Sequence, residues 1–253
     1  MLNAHRRALV IPARRRSTRL PDKMLLRQTG KTVLQHTFEA ACQATRADVV
    51  LIATDDAEIA AEARRFGGRV AMTSVDCPSG TDRVAEAVRS LPGAEIIVNL
   101  QGDEPEADPA AIDRLFDLLE QHPAAAMATL ATPIRSRAAL DDPACVKVTF
   151  DDAGRALYFS RSPIPHPREW DDRLLWSTPA VFHQHLGMYA YRRALLMQMP
   201  QWSVGRLEQV EKLEQLRVLE NGGAILVAVV EQAARGIDTP EDYAAFVARR
   251  RAA

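Results

Sequence analysis

Three kinds of signal are scarce in this sequence: paired cysteines, long apolar runs and an excess of charge of one sign. The three cysteines, Cys42, Cys77 and Cys145, are far apart and show no Cys-x-x-Cys or Cys/His metal spacing. They predict reduced, structural thiols, as in a cytosolic protein. No stretch approaches the roughly 20 apolar residues that span a membrane. The apolar run near the start of the sequence is too short to predict a signal peptide.

The charge of the chain is balanced. The formal net charge is −1, from 32 Lys and Arg and 33 Asp and Glu residues. This balance predicts no surface for nucleic acid and no tail for a basic partner, although a local basic cluster can still hold a small anion. The 253 residues, of which 47% are hydrophobic, are enough for one large α/β domain with a substantial core.

Two common nucleotide-binding fingerprints are also missing. The segment after the first predicted strand contains neither Gly-x-Gly-x-x-Gly nor Gly-x-x-x-x-Gly-Lys-Ser/Thr. The first absence disfavours an NAD-dependent oxidoreductase, and the second excludes a Walker-type phosphate loop.

Short apolar runs alternate with helical patterns in the first half of the chain. The runs at 8–13, 49–53 and 95–100 lack polar alternation, which is typical of strands buried in a parallel sheet. Helical patterns between them predict a mostly parallel sheet with helices on both faces. We predict a single domain over residues 1–253. In such sheets ligands bind beyond the carboxyl ends of the strands, so the polar segments that follow the strands are the candidate sites.

The pattern changes in the middle of the chain. Residues from about 135 to 200 are rich in strand-forming segments, and Asp151 to Gly154 form a turn signal between two of them. This region predicts an antiparallel excursion from the parallel sheet. A long amphipathic helix is then predicted over 206–220, and a last helix over 239–249.

Basic residues are concentrated directly after the first strand. Five of them lie within ten residues: Arg14, Arg15, Arg16, Arg19 and Lys23. Such cations can neutralise a triphosphate, and arginine adds forked hydrogen bonds. Ser17 and Thr18 can donate further hydrogen bonds. A solvated basic loop is the alternative interpretation, but the position after a parallel strand favours phosphate binding.

Carboxylates follow a later strand. Asp103 and Glu104 come just after the run at 95–100, where they could hold Mg²⁺ opposite a triphosphate. Gly102 permits a tight turn before them. A turn that leads into the next helix explains the same residues equally well. Asp238 precedes a helix start that Thr239 can cap, and spacing alone does not show that Asp103 and Asp238 meet.

With these segments in view, the chain resembles the 3-deoxy-manno-octulosonate (Kdo) cytidylyltransferase family nearly from end to end. The matching segments, in order, are IPARRRSTRLPDK, ATDDAEIA, TSVDCPSGTDRVAEA, VNLQGDEP, VKVTFDDAGRALYFSRSPIP, HLGMYAYRR, LEQVEKLEQLRVLENG and GIDTPEDY. The resemblance implies an α/β fold of the nucleotide-diphospho-sugar transferase type, with a smaller β-rich dimerisation and sugar-binding part at about 135–200. It also implies a cytoplasmic, Mg²⁺-dependent homodimer that joins CMP from CTP to Kdo, for lipopolysaccharide synthesis.

The resemblance further implies roles for individual residues. The CTP phosphates would contact Arg14, Arg19 and Lys23, and the cytosine pocket would be shaped by Ser79, Gly80, Thr81 and Arg83. Mg²⁺ would be held by Asp103 and Asp238, which with Arg14 and Lys23 form the catalytic set. The sugar acid would meet Gln101, Arg161, His185, Tyr189, Glu208 and Gln209. Considered without the resemblance, His185, Tyr189 and Glu208 are better explained as structural residues.

Two departures from similar proteins stand in the basic loop, and alternatives to Kdo stay open. Similar proteins usually have Gly and Pro around the loop lysine, where this chain has Asp22 and Met24, and an aromatic or apolar residue at the position of Arg15. The anion at Asp22 either weakens triphosphate binding or points to solvent. The substrate could also be a sialic acid or an amino-substituted Kdo, and a non-catalytic nucleotide-binding regulator is a further alternative.

Overall fold

A computed structural model describes residues 5–15, 19–231 and 236–252. The chain divides into two compact units, one of Met1–Asp117 with Ala234–Ala253 and one of Leu118–Ala233. Arg16, Ser17 and Thr18, which belong to the predicted phosphate loop, lie outside the described residues.

The first unit contains a parallel sheet. Its strands are β1 (Arg7–Pro12), β2 (Val49–Thr54), β3 (Arg69–Met72) and β4 (Ile96–Asn99). Its helices are α1 (Val33–Ala41), α2 (Ala57–Arg65), α3 (Gly80–Ala87) and α9 (Pro240–Ala252), and α4 (Pro109–Gln121) begins in it. The strand order is β3-β2-β1-β4, with all neighbours parallel. Successive side chains of a strand point to opposite faces, and β4 is buried at every position, so both faces are covered there. The predicted parallel sheet is confirmed.

Side-chain caps set the starts of three helices in this unit. Thr32 accepts a hydrogen bond from the backbone N–H of Gln35 before α1, and Asp56 accepts from two N–H groups at the start of α2. Ser79 accepts from the N–H of Asp82 at the start of α3. Such caps satisfy N–H groups that have no partner within the helix. The Ser79 cap therefore fixes the residue at which α3 begins.

A hydrophobic cluster brings distant loops of the first unit together. It contains Leu20, Val33, Ile237, Tyr243, Phe246 and Val247. Leu20 lies in the predicted phosphate loop and Ile237 directly precedes Asp238. Burial of these two side chains in one cluster therefore holds the basic loop against the segment that carries Asp238.

The second unit contains mixed and antiparallel strands. Its strands are β5 (Met127–Pro133), β6 (Lys147–Phe150), β7 (Ala156–Ser160), β8 (His183–Arg192) and β9 (Ile225–Val229). Its helices are α5 (Arg137–Asp141), α6 (Arg193–Gln198), α7 (Arg206–Glu211) and α8 (Gln215–Glu220). β5 pairs antiparallel with β8 and parallel with β9, and β6 pairs antiparallel with β7 and β8. The predicted antiparallel excursion is confirmed, whereas β5, α5 and α6 were not predicted.

The long helix predicted over 206–220 is wrong, because the chain forms two short helices there. α7 ends at Glu211, and the next residue, Lys212, adopts a left-handed conformation with φ 54°. The break allows Arg217 to donate two hydrogen bonds to the carboxylate of Glu208, nine positions earlier. In a straight helix residues nine apart lie about 13.5 Å apart along the axis and point to opposite sides, so an unbroken helix could not form this ion pair.

The described helices were also compared with the dimensions of a bilayer. Among them, none combines the length and the apolar character that crossing a membrane requires.

Candidate functional site

A cleft of about 370 Å³ in the first unit is lined by residues that follow β1 and β4. Nine of the predicted site residues line it: Arg14, Arg19, Lys23, Ser79, Gly80, Arg83, Gln101, Asp103 and Asp238. Its position at the carboxyl ends of parallel strands is the one at which α/β sheets bind ligands. All of the residues predicted for CTP and metal except Thr81 therefore meet in one cleft. Thr81 is buried in α3.

Lys23 joins the two predicted metal-binding carboxylates. Its Nζ contacts Asp103 Oδ2 and donates to Asp238 Oδ1 at 3.1 Å and to the carbonyl of Ile237 at 3.0 Å. The lysine is only 8% exposed, so its charge is held in place by these partners. Arg19 also pairs with Asp238, at 3.1 Å. Asp103 and Asp238 are thus close enough to share one cation.

Glu104 lies next to this carboxylate pair. Burial, followed by the charges of Asp103 and Asp238, raises the pKa of Glu104 to about 8. Glu104 is therefore protonated more readily than an ordinary glutamate.

The carboxylates of the cleft suit Mg²⁺ better than they suit a metal whose ligands all come from the protein. No group of three or more His, Cys, Asp or Glu side chains within the described part of the chain is arranged to hold a metal ion. Mg²⁺, however, usually binds through one or two carboxylates together with substrate phosphates and water. Asp103 and Asp238 already accept hydrogen bonds from the ammonium of Lys23, which is itself a cation. The residues present therefore suit a metal that arrives with a nucleotide.

The residues predicted for the cytosine pocket are held by a local network. The hydroxyl of Ser79 donates to Asp82 Oδ2 at 2.6 Å while capping α3. The guanidinium of Arg83 is buried, donates to Thr73 Oγ1 at 2.5 Å and lies 3.2 Å from Asp55 Oδ1. Arg83 therefore fixes the loop between β3 and α3 rather than projecting as a mobile cation.

Gly102 marks a close approach between two loops of the cleft. A Cβ at this position would lie 3.0 Å from the carbonyl oxygen of Pro12 and 3.1 Å from Met24 Sδ. Thr37 also donates to the carbonyl of Gly102, at 2.9 Å. Glycine therefore lets the turn that carries Asp103 pack against the end of β1. Met24, one of the departures noted in the sequence, is the side chain that fills the space beside it.

Cys77 is a cleft residue that the sequence analysis treated only as a structural thiol. It lines the cleft, and its Sγ donates to Glu86 Oε2 at 3.1 Å. Burial and the neighbouring Glu86 raise the pKa of Cys77 to about 11, so the thiol is not activated as a nucleophile. Cys77 shortly precedes Ser79 and Gly80 in the sequence, and this proximity to the predicted cytosine pocket was the one signal that could have assigned it to the cleft.

The second unit contains five of the six residues predicted to meet the sugar acid: Arg161, His185, Tyr189, Glu208 and Gln209. The sixth, Gln101, lies in the first unit and lines the cleft, where a Cβ on Gly80 would lie 3.6 Å from its Oε1.

His185 and Tyr189 lie together in the second unit, with ring centroids 5.4 Å apart. His185 Nε2 lies 3.0 Å from Thr129 Oγ1, and the Tyr189 hydroxyl donates to Gln215 Oε1 at 3.1 Å. Burial lowers the pKa of His185 to about 3. The imidazole is therefore neutral at physiological pH and can act only as a neutral hydrogen-bonding group.

The other three second-unit residues predicted to meet the sugar acid already have protein partners. Arg161 donates through Nε to the carbonyl of Glu211 at 2.7 Å, and through Nη1 to the carbonyl of Pro143 at 3.0 Å. Both carboxylate oxygens of Glu208 accept from Arg217, at 2.7 and 2.6 Å. The exposed Gln209 donates to a backbone carbonyl at 3.2 Å. These contacts hold Arg161 and Glu208 in defined positions.

Comparisons with known proteins agree on one family. A family model described as cytidylyltransferase matches residues 8–229. A 3-deoxy-manno-octulosonate cytidylyltransferase from Rhodopirellula baltica is 52% identical over 242 residues, which are 95% of this chain and 97% of that protein. An 8-amino-3,8-dideoxy-manno-octulosonate cytidylyltransferase from Shewanella sediminis is 44% identical over 237 residues, 92% of this chain and 94% of that protein.

Solved structures give the same result. A CMP:2-keto-3-deoxy-manno-octonic acid synthetase in complex with CTP has a TM-score of 0.90 and 39% identity, and the match covers 97% of this chain and 98% of that one. A 4-diphosphocytidyl-2C-methyl-D-erythritol synthase from Anaerococcus prevotii has a TM-score of 0.62 but only 14% identity, over 98% of this chain and 100% of that one. The second match shows a shared fold alone.

Proposed function

The chain belongs to the 3-deoxy-manno-octulosonate cytidylyltransferase family, and we propose that it transfers CMP from CTP to the anomeric hydroxyl of Kdo. The product is CMP-Kdo, and pyrophosphate leaves. One observation carries the proposal: the residues predicted for CTP and metal line a single cleft, in which Asp103 and Asp238 share one cation.

Nucleotidyl transfer depends mainly on positioning and on neutralising charge. The anomeric hydroxyl attacks the α-phosphorus of CTP, and the bond from that phosphorus to the pyrophosphate oxygen breaks. The negative charge of the triphosphate would be neutralised by Arg14, Arg19 and Lys23, which would also stabilise the leaving pyrophosphate. We assign no dedicated general base, because no side chain among the described residues of the cleft stands out for that role.

Asp103 and Asp238 would hold Mg²⁺ in this proposal. When bound, Mg²⁺ polarises the α-phosphate and lowers the pKa of a hydroxyl brought close to it. The ammonium of Lys23 and a metal cation repel each other, so Lys23 would exchange at least one carboxylate for phosphate oxygens.

The sugar acid would be recognised through its carboxylate and hydroxyls. Arg161 offers a guanidinium held by two backbone carbonyls, a geometry suited to a carboxylate. The neutral His185 can hydrogen-bond a hydroxyl without adding charge. Glu208 could accept a hydrogen bond from a sugar hydroxyl through the carboxylate lone pairs that Arg217 does not use.

We further propose a cytoplasmic homodimer that supplies CMP-Kdo for lipopolysaccharide synthesis. The comparisons support the reaction, and the dimer and the compartment follow from the family resemblance.

Pyrophosphate release by the purified protein tests the reaction. The full assay contains CTP, Mg²⁺ and Kdo, and the controls omit the sugar, omit the metal or replace CTP by other nucleoside triphosphates. Release that requires all three components is the expected result.

Other outcomes would change the proposal in defined ways. Faster release with 8-amino-Kdo, the substrate class of the Shewanella relative, or with a sialic acid would keep the reaction and change the substrate. Tight CTP binding without turnover on any sugar acid would instead indicate a nucleotide-binding regulator.

A further inference from the structure

Arg15 and Arg14 are neighbours in the basic loop but have different surroundings. Arg14 lines the cleft, whereas Arg15 is not among the residues that line it. The Nε of Arg15 donates to Asp22 Oδ1 at 2.8 Å, and its Nη1 contacts Glu58 and lies 3.8 Å from Asp56 Oδ2. The guanidinium of Arg15 therefore faces carboxylates of the loop and of helix α2.

Asp22 occupies a special position on the other side of the loop. Its backbone is left-handed, with φ 52° and ψ 23°, and its carbonyl accepts from the N–H of Leu25 at 2.8 Å. This turn directly precedes Lys23, whose ammonium joins Asp103 and Asp238. An unpaired carboxylate here would place negative charge one residue from a phosphate-binding lysine.

We propose that Arg15 and Asp22 act as one positioning pair for the nucleotide site, and that Arg15 is not itself a phosphate ligand. Arg15 neutralises Asp22 and ties the turn before Lys23 to the start of α2, where Asp56 caps the helix and Glu58 lies in the first turn. Arg15 and Asp22, which carry opposite charges within the same loop, thereby compensate each other. This inference rests on the proposed function, because it assigns a role at the same CTP site.

A double-substitution cycle tests the pair. The variants are Arg15→Gln, Asp22→Asn and Arg15→Gln with Asp22→Asn. Arg6→Gln is the control because it breaks an exposed ion pair with Glu95 at the other end of β1. The side chains of Arg15 and Asp22 are 41% and 52% exposed, so their loss should alter stability little. In low salt, Arg15→Gln should raise KM for CTP by roughly three- to tenfold, because Asp22 and Glu58 then repel the triphosphate. The value of kcat should change less than about twofold, since no group that touches the reacting phosphate is altered.

The double variant decides between the two roles of Arg15. Adding Asp22→Asn should return KM for CTP to within about twofold of the unmodified protein, because the two substitutions together leave the net charge of the loop unchanged. If Arg15 contacts phosphate directly, the double variant will keep the raised KM of Arg15→Gln, and the proposal is overturned. Direct calorimetric titration with CTP and Mg²⁺ gives the same comparison without a sugar. A chain that binds CTP but releases no pyrophosphate would therefore contradict the proposed reaction while leaving the pair testable.

Discussion

Lys23 is the residue on which the electrostatics of the cleft depend. It is nearly buried and touches Asp103, Asp238 and a backbone carbonyl. A buried ammonium needs such partners. In the structure the lysine is the cation that joins the two carboxylates, and we propose that Mg²⁺ joins them when CTP is bound.

Replacement of Asp103 tests this arrangement at the level of one residue. We expect Asp103→Asn to lower kcat by at least about a hundredfold, because it removes a charge that we propose is directed at Mg²⁺ and the triphosphate. Turnover is measured as pyrophosphate release, and circular dichroism verifies the fold. Glu95→Gln, an exposed acid in the same unit, is the matched control and should retain full turnover. Near-normal turnover in folded Asp103→Asn would remove Asp103 from the mechanism.

His185 makes a prediction about pH and stability. Its pKa of about 3 lies below the ordinary value of 6.5, so between these values an unfolded chain binds a proton that the folded chain does not. The free energy of unfolding should therefore fall as the pH falls below 6.5. In His185→Gln, whose amide can still meet Thr129, the loss between pH 7 and 5 should be smaller by roughly 2 kcal/mol.

Urea denaturation at several pH values measures this difference. The exposed His122 provides the control, and His122→Gln should keep the pH dependence of the unmodified protein. Equal pH dependence in His185→Gln and the unmodified protein would show that His185 does not resist protonation.

At the scale of elements, the break between α7 and α8 replaces one long helix by a helix pair joined through Glu208 and Arg217. The ion pair is buried, with both side chains about a tenth exposed, at 10% and 11%. Glu208 also lies at the N-terminal end of α7, where a negative charge is favourable. The pair therefore holds two short helices that could not be stable in isolation.

Removing one partner should leave a buried charge unpaired. We expect Arg217→Met to lower the free energy of unfolding by about 3–5 kcal/mol, and a further Glu208→Gln substitution to restore a large part of that loss. Chemical denaturation measures both effects. Arg137→Gln breaks the exposed pair with Asp141 and should cost less than about 1 kcal/mol. If the double variant is no more stable than Arg217→Met, packing rather than charge explains the loss.

At the scale of the whole molecule, ligand binding should be visible as stability. CTP with Mg²⁺ at 100 times its Kd should add about 2.7 kcal/mol to the free energy of unfolding and raise Tm by roughly 5–10 °C. Arg14→Gln should reduce this shift because Arg14 lines the cleft, whereas Arg6→Gln should retain it. Differential scanning calorimetry with and without ligand makes the comparison. A full shift in Arg14→Gln would show that Arg14 does not contribute to CTP affinity.

Much of the fold and of the lining of the candidate cleft could be predicted from the sequence. The apolar runs at 8–13, 49–53 and 95–100 correspond to β1, β2 and β4 within about one residue, because a strand buried on both faces needs continuous apolar side chains. The predicted CTP and metal residues follow strands or begin a helix, and the topology of a parallel sheet collects such positions at one edge. β5 was missed because its sequence, MATLATP, combines small and hydroxyl side chains that show no strong strand pattern.

Only the tertiary structure decided which distant residues meet. Asp103 and Asp238 contact Lys23 from 80 and 215 positions away, and Arg15 pairs with Asp22 and Glu58 instead of facing the cleft. The break at Lys212 likewise accompanies the ion pair of Glu208 and Arg217, which helical periodicity in the sequence does not predict. Helix caps and hydrophobic periodicity involve residues close together in the sequence and can be identified there. The partner of a buried charged side chain, in contrast, is set by the tertiary packing. The sequence therefore determined the buried parallel strands and the chemical groups available to the site, and the packing of loops around β1 and β4 determined which of those groups meet.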